Sequence, residues 1–184
     1  MLIRNLAETT YGADVERVSG AQAFRAQLVV PEQRQLYDYW VERAGTHGMP
    51  RRADIDPIRF PRLLPGISLI DVGPSLETCR VRLAGTRLRE IYDREVTGQL
   101  VSQLPCGNRL EYWMAAYRRT IEQATATQGV VRGPQINKEH VVQYWLKLPL
   151  RTTSDRVDMV LCYDHFVPAS ELLHEPELRE SVAS

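Results

Sequence analysis

The stretch VRLAGTRLREIYDREVTG, residues 81–98, constrains the fold of this chain more than any other. An alternating strand runs into a Gly-Thr turn, one short amphipathic helix and a Thr-Gly stop. Over Thr78–Ala84, Cys79, Val81 and Leu83 point to one side while Thr78, Arg80 and Arg82 point to the other, the pattern of a half-buried antiparallel strand. Thr86 is placed to cap the turn that follows, and Leu88, Ile91 and Tyr92 then share one helical face.

The segments around it complete one sheet. Residues 1–20 are mixed and weakly periodic, as in a mobile arm or short docking segment, and Ala21–Val30 fits a short strand or a helical turn equally well. Pro31 opens a helix, since its missing N–H needs no partner at a first helical position. Leu36, Tyr37, Trp40, Val41 and Ala44 form the apolar stripe of that helix, and Gly45 and Gly48 end it. Pro50, Pro57, Pro61 and Pro65 then forbid a long helix but allow single turns.

A strand is expected over Ile67–Val72. After Pro105-Cys106-Gly107, Asn108 and Glu111 form a candidate capping box for the longest helix, striped by Leu110, Trp113, Met114, Tyr117, Ile121 and Ala124 and stopped at Gly129. Strands over Gly129–Ile136, Val141–Leu150 and Arg156–His165 finish the domain, with Val142, Tyr144, Leu146 and Leu148 alternating against polar neighbours. The tail from Pro168 to Ser184 is acidic, as in a loose helix or disordered end. The order of elements implies an α+β fold: a five-stranded antiparallel sheet with helices packed on one face, preceded by an N-terminal helix. The expected divisions are an arm over 1–30, the domain over 31–167 and a tail over 168–184.

At 184 residues the chain is long enough to bury a core. Lys plus Arg and Asp plus Glu number 23 each, so no overall field draws the chain to nucleic acid or to an anionic membrane. No apolar run is long enough for a membrane-spanning helix, and the N-terminus lacks the apolar core of a secretory signal. Cys79, Cys106 and Cys162 form no Cys-x-x-Cys pair, which suits separate reduced thiols in the cytoplasm. No Gly-x-Ser-x-Gly elbow, phosphate-binding glycine loop, kinase signature or metal-ligand spacing is present. Asp54 and Asp56, beside Arg51, Arg52 and Pro57, read as turn caps, and Asp56 and His140 are the sole acid–base candidates, with nothing to bring them together.

Four pieces in order resemble one family. The helix LYDYWVERAGTHG, the turn RADIDP, the LLPG before the first strand and the LAGT turn are similar to the short single-domain PAS proteins of alphaproteobacteria, over residues 34–167. The resemblance implies a PAS fold, a cytoplasmic location and a sensory or regulatory role exercised through a partner signalling protein, without enzyme activity. It also implies a homodimer contact on the lead helix, with Tyr37 and Trp40 as interface candidates.

Val81, Leu83, Leu88, Tyr92, Met114, Tyr117, Tyr144 and Leu146 are the candidate lining of a small-molecule pocket, and the same residues would serve to fill a packed core. The cofactor is left open. Haem is disfavoured because none of His47, His140, His165 and His174 lies between Leu88 and Gly129, where an axial ligand is needed. Flavin photochemistry is disfavoured because Cys106 sits in LPCGNR and not in an Asn-Cys-Arg-Phe-type motif. The alternative reading is a ligand-free, homodimeric interaction adaptor, with a small-molecule enzyme behind it.

Overall fold

In the computed structural model, residues 19–133, 137–153 and 155–172 are described; the expected arm before residue 19 and the tail beyond 172 lie outside them. A helix over 19–27 (α1) leads to a second at Pro31–Ala44 (α2). Short 3-10 turns at Arg52–Asp54, Pro57–Arg59 and Pro61–Gly66 carry the proline-rich segment to strand β1, Ile67–Asp71. Then follow β2 (Arg80–Ala84), α3 (Thr86–Tyr92), α4 (Leu110–Gln123), β3 (Thr127–Arg132), β4 (Val141–Leu150), β5 (Met159–Pro168) and a final turn of helix, α5 (Ala169–Leu172). The strands form one antiparallel sheet in the order β2-β1-β5-β4-β3.

Helices α3 and α4 cover one face of this sheet, and the lead helix α2 covers the other. Leu146, Leu148 and Leu150 on β4, opposite Tyr163, Leu161 and Met159 on β5, bury against Leu28, Leu36, Tyr37 and Trp40. The indole N–H of Trp40 donates to the carbonyl of Pro149 at 2.9 Å, which fixes the angle of α2 on the strand. Tyr37 and Trp40, the interface candidates, are only 5% and 6% exposed and pack in the chain's own core, where they also line a groove beside α1. The reason is that the apolar stripe of α2 meets an apolar sheet face in the same chain.

The capping roles read for Asp54 and Asp56 are present. Asp54 Oδ2 accepts from the Arg51 backbone N–H at 2.9 Å, and Asp56 Oδ1 accepts from that of Ile58 at 3.0 Å. Other expected caps do not form. Gly85, not Thr86, precedes α3: its backbone N–H donates to the Ile67 carbonyl at 2.7 Å, and a side chain there would collide with the carbonyls of Leu64 and Pro65. Asn108 lies in a 3-10 turn, Gly107–Arg109, that runs straight into α4, so Arg109 takes the cap position and the Asn108–Glu111 box is not made.

Helix α4 ends at Gln123 with Ala124 in the left-handed conformation (φ 49°), and Gly129 belongs instead to β3. There a side chain would meet the ring of Trp145, 2.6 Å from its Cζ2.

A bulge changes the expected parity of β2. Ile70 pairs with Val81 but Leu69 pairs with Leu83, so Arg82 is an extra residue in the strand. Val81 therefore faces the α3/α4 side with Ile70, whereas Leu83 turns to the other side at the sheet edge and is 46% exposed. Beyond β2, the backbone N–H groups of Gly98 and Val101 donate to the carbonyls of Val81 and Cys79 at 2.7 and 2.9 Å, which covers part of the open edge.

Candidate functional site

Between the sheet and helices α3 and α4 lies a cavity of about 30 Å³. On this measure one water needs roughly 10–15 Å³, so there is space for one or two waters in the conformation described. Its apolar wall is built from Ile70, Val81, Leu88, Val96, Val101 and Leu104, and its aromatic wall from Tyr92, Trp113 and Tyr117. Its floor is polar. Ser68 on β1, Gln143 and Lys147 on β4 and Asp164 on β5 all face it, and each is no more than 6% exposed.

The polar floor follows from the strand register. Lys147 pairs with Cys162 and Trp145 with Asp164, so Lys147 and Asp164 stand one pleat apart on the same face. The Lys147 ammonium sits over three rings, 4.9 Å from Trp113, 4.4 Å from Tyr117 and 4.7 Å from Trp145. Such cation–π contacts offset part of the cost of burying the charge. The Trp145 indole N–H donates to the Tyr112 hydroxyl at 2.7 Å, holding that ring in place. Asp164 Oδ1 accepts from the Gln143 amide at 2.6 Å.

Burial shifts the titrating groups here. It raises the Asp164 carboxyl, while nearby Lys147 and the hydrogen bond from Gln143 hold it down in part. It also pushes the Tyr92 and Tyr117 phenols well above their ordinary value and the Cys106 and Cys162 thiols up, so all four are neutral near pH 7. The two phenols contact sulfur, Tyr92 with Cys106 Sγ at 3.9 Å and Tyr117 with Cys162 Sγ at 3.8 Å, which are weak partners.

Of the residues expected to line a pocket, Val81, Leu88, Tyr92 and Tyr117 do so. Met114 packs beside them within the same hydrophobic cluster, outside the lining. Leu83 is turned away by the bulge. Tyr144 and Leu146 lie on the opposite face, in the core beneath α2, because the apolar parity of β4 faces the lead helix and its mixed parity faces the cavity. The residues not anticipated are Ser68, Gln143, Lys147 and Asp164. Two of them carry a sequence signal: Lys147 interrupts YWLKLPL and Asp164 interrupts VLCYDHFV, each a charge within an otherwise apolar strand.

A second, more open cleft of about 280 Å³ lies toward the start of α2, where Glu32, Arg62, Arg87 and His165 meet. Burial pushes His165 down from its ordinary value, with Glu32 opposing the shift and Arg87 adding to it. Among the described residues no group of His, Cys, Asp and Glu is arranged to hold a metal ion, and no helix is long and apolar enough to cross a membrane.

Comparison with curated proteins finds no match. Solved structures are similar to this chain at low identity. The LOV protein of Rhodobacter sphaeroides is 18% identical, with 61% of this chain and 69% of that chain covered and a TM-score of 0.45. A PAS domain from Colwellia psychrerythraea is 12% identical over 61% of this chain and 98% of its own, with a TM-score of 0.46. The VqmA dimer of Vibrio cholerae is 13% identical over 61% of this chain and 51% of its own, with a TM-score of 0.48. The family model described as PAS domain matches residues 28–163, a span that opens at the fully buried Leu28 and closes on the central strand. The chain belongs to the PAS-domain family.

Proposed function

We propose that this chain is a cytoplasmic sensory or regulatory module, in which a small molecule held in the cavity alters the packing of α3 and α4 and a partner protein reads the change. Membership of the PAS family supports the signalling role. The observation that carries the ligand is the polar floor. Lys147 and Asp164 are buried, and among the described residues neither forms an ion pair with the other or with a third group. A core made for stability alone is better served by apolar side chains at such positions.

An occupant larger than one or two waters has to displace a wall. The seven residues of α3, with only Leu88 buried, form the wall with least to lose. The reading includes no catalytic step, since Asp56 is engaged as a cap and His140 lies on the turn before β4. Three buried, unbridged cysteines suit a reducing compartment.

The test is native mass spectrometry of the purified full chain beside a denatured control, with an absorption spectrum of the same sample. A non-covalent mass lost on denaturation is the expected result, and visible absorbance would identify a chromophore. The smallness of the cavity favours a second reading, a ligand-free adaptor acting through a protein partner. A bare mass, together with no thermal shift on adding a concentrated extract of small metabolites, would select it.

A further inference from the structure

Given that the cavity takes a small molecule, the arrangement of its polar floor points to the class of molecule. We infer that the site is built for a small, uncharged, flat molecule bearing a hydrogen-bond acceptor beside a donor, as in an amide or lactam, with the acceptor on Lys147 and the donor on Asp164.

Three observations lead there. The Lys147 ammonium can only donate, and among the described residues it has ring faces around it but no hydrogen-bond acceptor. Asp164 spends Oδ1 on Gln143, and among the described residues no donor reaches Oδ2. The two groups stand one pleat apart, about the separation of adjacent same-face side chains on paired strands, roughly 7–8 Å diagonally at the backbone. One donor and one acceptor are thus offered to the same cavity from neighbouring strands.

Charge settles the rest. A cation and a carboxylate already face the same cavity, so an anionic guest would add an unbalanced negative charge and a cationic guest an unbalanced positive one, both expensive away from water. An uncharged guest with an acceptor and a donor satisfies both groups and adds no charge. The indole of Trp113 and the phenols of Tyr92 and Tyr117 supply flat apolar walls for a planar group.

The test titrates the full chain with three ring-sized or smaller probes, following the tryptophan indole signals by NMR. They are 2-pyrrolidinone, with acceptor and donor adjacent; cyclopentanone, with the acceptor alone; and propionate, an anion. The expected result is binding of 2-pyrrolidinone about tenfold tighter than cyclopentanone, the worth of one hydrogen bond to a charged group, with propionate weaker than both. In Asp164→Asn the lactam preference narrows, and in Lys147→Met both ketone and lactam weaken; the wild-type ranking stands as a test even where a variant does not fold. Equal binding of lactam and ketone would overturn the donor–acceptor assignment while leaving a ligand cavity. Propionate binding tightest would overturn the uncharged class. If no probe moves the Trp113 or Trp145 signals up to its solubility limit, the ligand cavity itself falls, and the inference with it.

Discussion

Lys147 and Asp164 face the same cavity from neighbouring strands without closing on each other as an ion pair. Each is instead held by something else, the ammonium by three aromatic rings and the carboxylate by the Gln143 amide. That separation gives the interior a polarity that a cavity of this size would otherwise lack.

The first expectation concerns pH. Burial holds the folded Asp164 carboxyl above the value of an unfolded aspartate, about 3.9. Between those two values the native state binds more protons than the unfolded one, so this group's contribution to stability is present at low pH and is lost as pH rises. The stability of the wild type relative to Asp164→Asn should therefore decline as pH rises above about 4. Denaturant titrations of both proteins across that range check it. A difference that does not change with pH would remove the assignment.

Trp40 distinguishes a core role from an interface role. Trp40→Phe removes a buried hydrogen bond to Pro149 and part of the ring that packs beneath the sheet. The expected cost is about 2 kcal/mol or more, read from the urea midpoint. An interface residue would instead alter the sedimentation profile and spare the midpoint.

The bulge in β2 makes two neighbouring apolar positions unequal. Val81, 2% exposed, should cost about 2 kcal/mol when changed to Ala. Leu83, on the far side of the extra residue, should tolerate Ser within about 0.5 kcal/mol. Comparable losses at both sites would mean that the strand keeps a single parity in solution.

Gly85 is fixed by a close approach. A methyl group there would stand 2.3 Å from the Pro65 carbonyl oxygen and 2.4 Å from that of Leu64, and backbone cannot step aside as a side chain can. Gly85→Ala should lower stability by roughly 2 kcal/mol or more and loosen α3, seen as faster amide exchange over Thr86–Tyr92. Unchanged exchange would mean that the Leu64–Pro65 turn gives way instead.

The strands and the two long helices were legible because their periodicity is clean. Leu36, Tyr37 and Trp40 mark a helix face, and Val142, Tyr144, Leu146 and Leu148 mark a strand face. Periodicity says which residues share a face but not what covers it. The apolar face of β4 was expected to line the pocket, on the assumption that a mixed face points to water. Here α2 claims the apolar face, and the face holding Gln143, Trp145 and Lys147 is buried too. Leu83 was misplaced for a different reason, since one inserted residue reverses every side chain beyond it and leaves no mark in composition.

The sheet order carries a consequence for how the chain assembles. Strand β5, the last in sequence among the described residues, lies between β1 and β4 and joins the β1–β2 ribbon to the β3–β4 ribbon. Until Met159–Pro168 has left the ribosome, the growing chain holds two unjoined hairpins, each with an inner edge open to pairing. Assembly of the sheet should therefore finish in a single late closing step, slowed by the long sequence separation between β1 and β5.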